Sequence, residues 1–177
     1  MLDAGATPCK TGGVKDTRIT IINQQHRFRL DRVAVHRVVA TLAAIAARTC
    51  RAAPPWREVT VIITDDAGIE PFNRAIMKHA GTTDVITQRY ESLPGEPAGL
   101  LGEVIVNVER AWQVGDARRG WSASHELALY LAHGCDHLND EDDTTPAGRQ
   151  RMRRRELRWL RRLHVPVLFK PAARAFF

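Results

Sequence analysis

HGCDHLNDEDD, residues 133–143, sets two histidines four apart and then runs into a cluster of acids. On a helix, positions i and i+4 project from one face, so His133 and His137 reach a common point. Zinc binds imidazole nitrogen at about 2 Å, which that separation allows. An isolated pair of this kind on a buried helix also serves as polar packing. The acids argue for a cation. Asp140, Glu141, Asp142 and Asp143 follow the C-terminal end of the helix, where the backbone dipole is negative, and they repel one another. A divalent ion nearby relieves both problems. Asp143 lies six residues past His137, after Asn139 and Asp140, where the helix can end and the chain turn back. It is the natural third ligand. Three protein ligands, His133, His137 and Asp143, leave a position open for water, the pattern of a catalytic site. Cys135 points off the histidine face and reads as packing.

Working outward, residues 122–138 carry Leu127, Leu131 and Ala132 at helical spacing, with Tyr130 beside them: a buried helix that ends at the histidines. Upstream, 18–25 (RITIINQQ) reads as a strand and Asp31 as the cap of a helix to about 48, with Val35, Val38, Val39, Leu42 and Ile45 on its core side. Ala-Pro-Pro at 53–55 ends that unit. EVTVIIT at 58–64 is the clearest strand. Asp65 and Asp66 cap a helix over 67–78 that Gly81 stops. TDVIT at 83–87 is a short strand, 88–101 a Pro- and Gly-rich loop, and EVIVNV at 103–108 another strand. A short helical turn over 109–113 stops near Gly115 and Gly120. Thr144-Thr145-Pro146 opens a last helix to about 163. Strands and helices mix without strict alternation. The expected class is α+β, a small mixed β-sheet covered by helices, with the metal site on a buried helix and the loop after it. We expect a flexible arm over 1–17, one domain over 18–163, and a C-terminal tail over 164–177 without periodicity.

The chain has 177 residues and a formal charge of +6, which favours an acidic partner such as nucleic acid. No apolar run approaches membrane-spanning length, and the first residues lack the pattern of an export signal, so the expected compartment is cytoplasmic. There Cys9, Cys50 and Cys135 should be thiols.

Zinc proteases often carry H-E-x-x-H, but Gly134 stands where that glutamate belongs. His125-Glu126 starts such a motif, and Leu129 breaks it. Asp136 gives H-x-x-D-H, a shortened form of the inverted zinc-peptidase order. A metallopeptidase is therefore the second reading of this helix.

ELALYLAHGCDHLNDEDD together with TTPAGRQRMRRRE resembles the YbeY-type zinc endoribonucleases, whose signature is H-G-x-L-H-L-x-G-Y-D-H. His133, Gly134, His137, Leu138 and Asp142 match it in place, and Asp143 falls on the third-ligand position in the form that uses Asp. Upstream, TDD at 64–66, FNR at 72–74, TDV at 83–85 and GEVIV from 102 are similar to that family's T-D-D, L-N-R, T-D-V and G-D-I-V-I. The resemblance covers roughly 18–163. It implies a single-strand-specific, metal-dependent endoribonuclease that matures ribosomal RNA at the 3′ end of the small-subunit RNA and serves ribosome quality control. The implied partners are ribosomal RNA and the ribosome or its small subunit, with no membrane. The chain departs from the family at Asp136, in place of a leucine, and at Asp140-Glu141, in place of Gly-Tyr. Asn139 is then the residue expected to take the left-handed turn. An arginine of the family, associated with RNA cleavage, falls on Met77.

Eight arginines lie between 149 and 162. Met152, Trp159, Leu160 and Leu163 share one helix face, and Arg151, Arg154, Arg155, Arg158 and Arg162 the opposite one. Such a stripe serves either as an ordinary solvated face or as a phosphate-binding surface. We count Arg151, Arg154, Arg155 and Arg158, with Lys78, as expected RNA contacts. Asp142 or Asp136 is the expected proton carrier or water-orienting group. Two other readings stay open: the metallopeptidase, and an RNA- or ribosome-binding module with a structural metal. Metal-loaded protein offered structured RNA and casein separates all three.

Overall fold

A computed structural model of the chain describes residues 17–48, 56–97, 99–117 and 119–172. The arm at 1–16, Cys9, Cys50, the Ala-Pro-Pro stop and the last five residues lie outside the described residues.

Four strands form the main sheet: β1 (Arg18–Asn23), β3 (Trp56–Thr64), β5 (Leu100–Asn107) and β4 (Val85–Glu91), in that spatial order. β1, β3 and β5 run parallel, and β4 closes the edge antiparallel to β5. The alternation of β3 explains why the sheet is covered on both sides. Val59, Val61 and Ile63 enter the large core, whereas Ile62 joins Ile69, Ile86 and Ile105 in a small cluster on the other face. The large core belongs to α1 (Arg32–Ala47), α3 (Val108–Asp116) and α4 (Ala123–Leu138). The small one lies under α2 (Asp66–Phe72), which passes into a π-helical turn over Asn73–Met77. α5 (Pro146–Leu163) packs on α4 with Met152, Trp159 and Leu160 buried.

Helices α1 to α5 each start on a side chain that accepts a backbone N–H: Asp31 for α1, Asp65 for α2, Asn107 for α3, Ser122 for α4 and Thr145 for α5. The mixed, helix-covered sheet is the expected one; several boundaries differ. β4 runs on to Glu91 and β5 starts at Leu100, because antiparallel pairing extends both strands into the expected loop. α3 passes through Gly115, whose missing side chain allows contact with the backbone of Ala123.

Part of the segment after 163 packs on the rest of the chain. A short strand β2 (Phe28–Leu30), not foreseen, pairs antiparallel with β6 (Phe169–Pro171). Leu168 and Phe169 are buried, and Phe28, Trp112 and Phe169 form an aromatic cluster. Two apolar residues and a ladder partner were enough to dock a segment without helical periodicity. No helix among the described residues is long and apolar enough to cross a membrane.

Candidate metal centre

α4 is buried almost all round, held between the sheet, α1, α3 and α5. Gly134 is what lets it sit so low. A Cβ there would stand 2.4 Å from Val104 Cγ1, so no side chain fits between this helix and β5. With Gly134 pressed on the sheet, His133 and His137 emerge on the side that faces α5 and the loop after α4.

The two rings converge. His133 Nε2 and His137 Nε2 lie 3.0 Å apart. Asp143 brings one carboxylate oxygen to 3.8 Å from each. Each Nδ1 is committed elsewhere: that of His133 to Glu156 Oε1 at 2.7 Å, that of His137 to the carbonyl of Glu141 at 2.9 Å. An Nδ1 that donates to an acceptor leaves Nε2 as the lone-pair nitrogen. Two lone pairs and a carboxylate aimed at one point repel unless a proton or a metal cation sits among them. The N,N,O donor set, with each imidazole oriented from behind by an acceptor, suits a divalent metal. Among the described residues these three form the one group of His, Cys, Asp or Glu that could hold an ion. Burial opposes charge on His133, but the hydrogen bond and charge of Glu156, with Asp143, outweigh it and raise its pKa.

The sequence does not by itself mark Glu156 as part of the site. The residue is 2% exposed. Its signal in the chain is a lone acid in an arginine-rich helix, at the spacing of the core residues Met152 and Trp159.

The loop is built differently from expectation. Asn139 keeps a negative φ of −99°, and Asp140 takes the left-handed turn at φ 62°. Asn139 is held by two contacts, donating to the Cys135 carbonyl and accepting from Trp56 Nε1, which fix it as the helix end. Asp140 pairs with Arg89 on β4. Gly148 then seats the loop, since a Cβ there would lie 2.5 Å from the Asp142 carbonyl oxygen. Because that neighbour is backbone, Gly148→Ala should move the Asp142–Asp143 segment. We expect roughly tenfold weaker metal binding in competition with a chelator, with a stability loss of about 1–3 kcal/mol. Unchanged metal affinity would mean that Gly148 does not position Asp143.

Asp142 and Asp136 do not meet the ligand cluster. Asp142 is exposed and accepts from Thr144 N and Oγ1 at 2.8 and 2.7 Å, bonds that hold its carboxyl below the usual range. Asp136 is fully buried and accepts from Arg155 Nε and Nη2 at 3.0 and 2.8 Å. Arg155 Nη2 also reaches Glu141 Oε2 at 3.0 Å. This corrects the face assigned to Arg155. It lies three residues after Met152 and four before Trp159, at the flank of the core face, and turns to α4. Arg151, Arg154 and Arg158 are exposed as expected. Lys78 is exposed, ends the π-helical turn at φ 60°, and donates to the Ala75 carbonyl. Neither Lys78 nor Met77 lines the cleft over the metal group. Cys135 is buried, and burial pushes its thiol up to about 12, in keeping with packing. The cleft itself, about 450 Å³ and open to solvent, is lined by Asp84, Tyr130, His133, Asp143, Arg149 and Arg153 among others.

The family profile described as "Endoribonuclease YbeY" matches residues 20–164. A protein named Endoribonuclease YbeY from Rhodopirellula baltica is 37% identical over 119 residues, which are 67% of this chain and 58% of that protein. The chain thus spans little more than half the length of that relative. One of the same name from Syntrophomonas wolfei is 28% identical over 154 residues, 82% of this chain and 96% of that protein. The solution structure of a Thermotoga maritima protein has a similar fold, with a TM-score of 0.53 at 16% identity, over 82% of this chain and 88% of that one.

Proposed function

Because the chain belongs to the endoribonuclease YbeY family, we propose that it is a zinc-dependent endoribonuclease that cleaves single-stranded ribosomal RNA. The carrying observation is the convergence of His133 Nε2, His137 Nε2 and the Asp143 carboxylate in an open cleft. Zinc, when bound, supplies Lewis acidity that acidifies water and draws charge from a phosphate oxygen. The rest falls to the chain. Glu156 and the Glu141 carbonyl fix the imidazole tautomers, so both Nε2 atoms stay available as donors to the ion. Asp84, an exposed carboxylate in the same cleft, is the candidate to move a proton, in place of Asp142 or Asp136. The exposed row Arg151, Arg154 and Arg158 supplies charge for RNA phosphates without reading sequence. The family and this charge support ribosomal RNA in the small subunit, at its 3′ end and in ribosome quality control, as the setting, with the cytoplasm as the compartment.

Gly134 weighs against the peptidase reading, because the position of a protease's general base is packed on Val104 and admits no side chain. The test offers purified protein single-stranded RNA, structured RNA and casein, with metal content measured by mass spectrometry. We expect RNA cleavage that disappears on exhaustive chelation and returns with zinc, and intact casein. RNA cleavage that persists in verified metal-free protein would overturn the proposal. Binding without cleavage would favour the module with a structural metal. Changing Arg151, Arg154 and Arg158 together to Glu should weaken RNA binding and flatten its salt dependence, with metal content unchanged.

A further inference from the structure

Besides Arg155, two arginines of α5 stand apart from the outward row. Arg149, Arg153 and Glu156 lie at i, i+4 and i+7, along one side of the helix. Glu156 Oε1 holds His133 Nδ1 at 2.7 Å. Arg149 Nη1 donates to the carbonyls of Asp143 and Thr144 at 3.0 and 3.2 Å. The helix thus touches one histidine ligand at one end of this row and the carboxylate ligand's backbone at the other. Arg153 sits between, with its Cα about 6 Å along the axis from that of Arg149 and about 4.5 Å from that of Glu156, at a rise of about 1.5 Å per residue. It is half-buried and lines the same cleft as His133 and Asp143.

Arg153 differs from its neighbours in what it lacks. Arg149 is spent on loop carbonyls and Arg155 on Asp136 and Glu141, but Arg153 makes no hydrogen bond or ion pair among the described residues. A half-buried guanidinium that no hydrogen bond or ion pair satisfies keeps its donors free for a ligand. A planar fork of N–H donors beside a metal group matches one ligand chemistry above all, the two non-bridging oxygens of a phosphodiester.

Resting on the endoribonuclease reading, we propose that Arg153 is a substrate-binding residue that grips a phosphodiester of single-stranded nucleic acid beside the metal ligands. The cleft, about 450 Å³, has the size of a small-ligand pocket. It takes a short stretch of extended strand and not the width of a duplex. Arg151, Arg154 and Arg158 then collect RNA at long range, while Arg153 sets the register of the scissile stretch.

The test uses metal-loaded protein and two probes. A short single-stranded oligodeoxynucleotide carries the same phosphates without being a ribonuclease substrate, and single-stranded RNA reports cleavage under single-turnover conditions. Arg153→Ala should reduce the slope of log K against log salt by about 0.7 for the DNA probe, one phosphate's share on a single strand. It should slow RNA cleavage by on the order of tenfold or more, with metal content unchanged and partial recovery in Arg153→Lys. Arg37→Ala, an equal loss of charge on the exposed side of α1, should change neither. If Arg153→Ala keeps the wild-type salt slope and rate, the assignment is overturned. If wild-type protein binds the DNA probe but cleaves no RNA, the endoribonuclease reading fails, and the slope alone still decides for or against Arg153.

Discussion

Asp143→Ala is expected to lower metal affinity by more than the 10–100-fold typical of losing an outer partner of a ligand. Among the described residues the carboxylate is the one side-chain oxygen donor that faces both Nε2 atoms, at 3.8 Å from each. Without it the pair of lone-pair nitrogens, 3.0 Å apart, has only two donors to offer. Asp143→His should restore most of the binding, because imidazole is the commoner ligand that the family resemblance implies at this place. Glu156→Gln should fall between the two. Its side chain can still accept from His133 Nδ1, but the negative charge that makes the imidazole a better donor is gone. Metal affinity by chelator competition measures all three. Should Asp143→Ala retain the ion while Asp142→Ala releases it, the third ligand has been placed one residue too late.

How much of this was legible in the chain depends on the range of the interaction. The sheet strands, the helix caps and the histidine pair are local, written in periods of two and 3.6 and in single polar residues before apolar runs. Asp143 was legible as well, since it follows His137 closely. What the chain could not announce were partners brought together from a distance. Glu156 lies 23 residues from His133 and looked like one charge among many. Arg155 and Asp136 are 19 apart. A helical wheel placed Arg155 with the solvent row, although a position flanking the core turns inward when a buried carboxylate waits there. The docking of the last segment was hidden for the opposite reason: Leu168–Phe169 is too short to show a period, and pairing with β2 gives it a place. At Asp140 the sequence pointed to the wrong neighbour. Asn is the better left-handed residue in isolation, yet Asn139 was already held by Trp56 and Cys135.

The pair of buried Asp136 and half-buried Arg155 yields the second large effect. Asp136 is fully buried, and one of its oxygens, Oδ1, has no hydrogen-bond partner among the described residues. Burial raises its carboxyl from 3.8 to about 6, even with Arg155 pulling the other way. Arg155→Met should therefore destabilise the metal-free protein by about 3–5 kcal/mol near neutral pH, read from urea midpoints against wild type. The sign of the pH dependence follows. With the guanidinium gone, the folded-state pKa of Asp136 rises further above its unfolded value. The charged form is then disfavoured in the fold, so stability is retained below the unfolded pKa and lost as pH climbs through the folded one. The deficit should be larger near pH 8 than near pH 5. Asp136→Leu with Arg155→Met puts apolar volume on both sides and should recover most of the stability, since such a swap is often neutral or better. It should not recover the metal site in full. Arg155 also ties Glu141 to α4, and the Glu141 carbonyl fixes His137. We expect the double variant to melt near wild type yet bind zinc on the order of tenfold more weakly. Full metal affinity in that protein would mean that the Asp136–Arg155–Glu141 strut serves the fold alone.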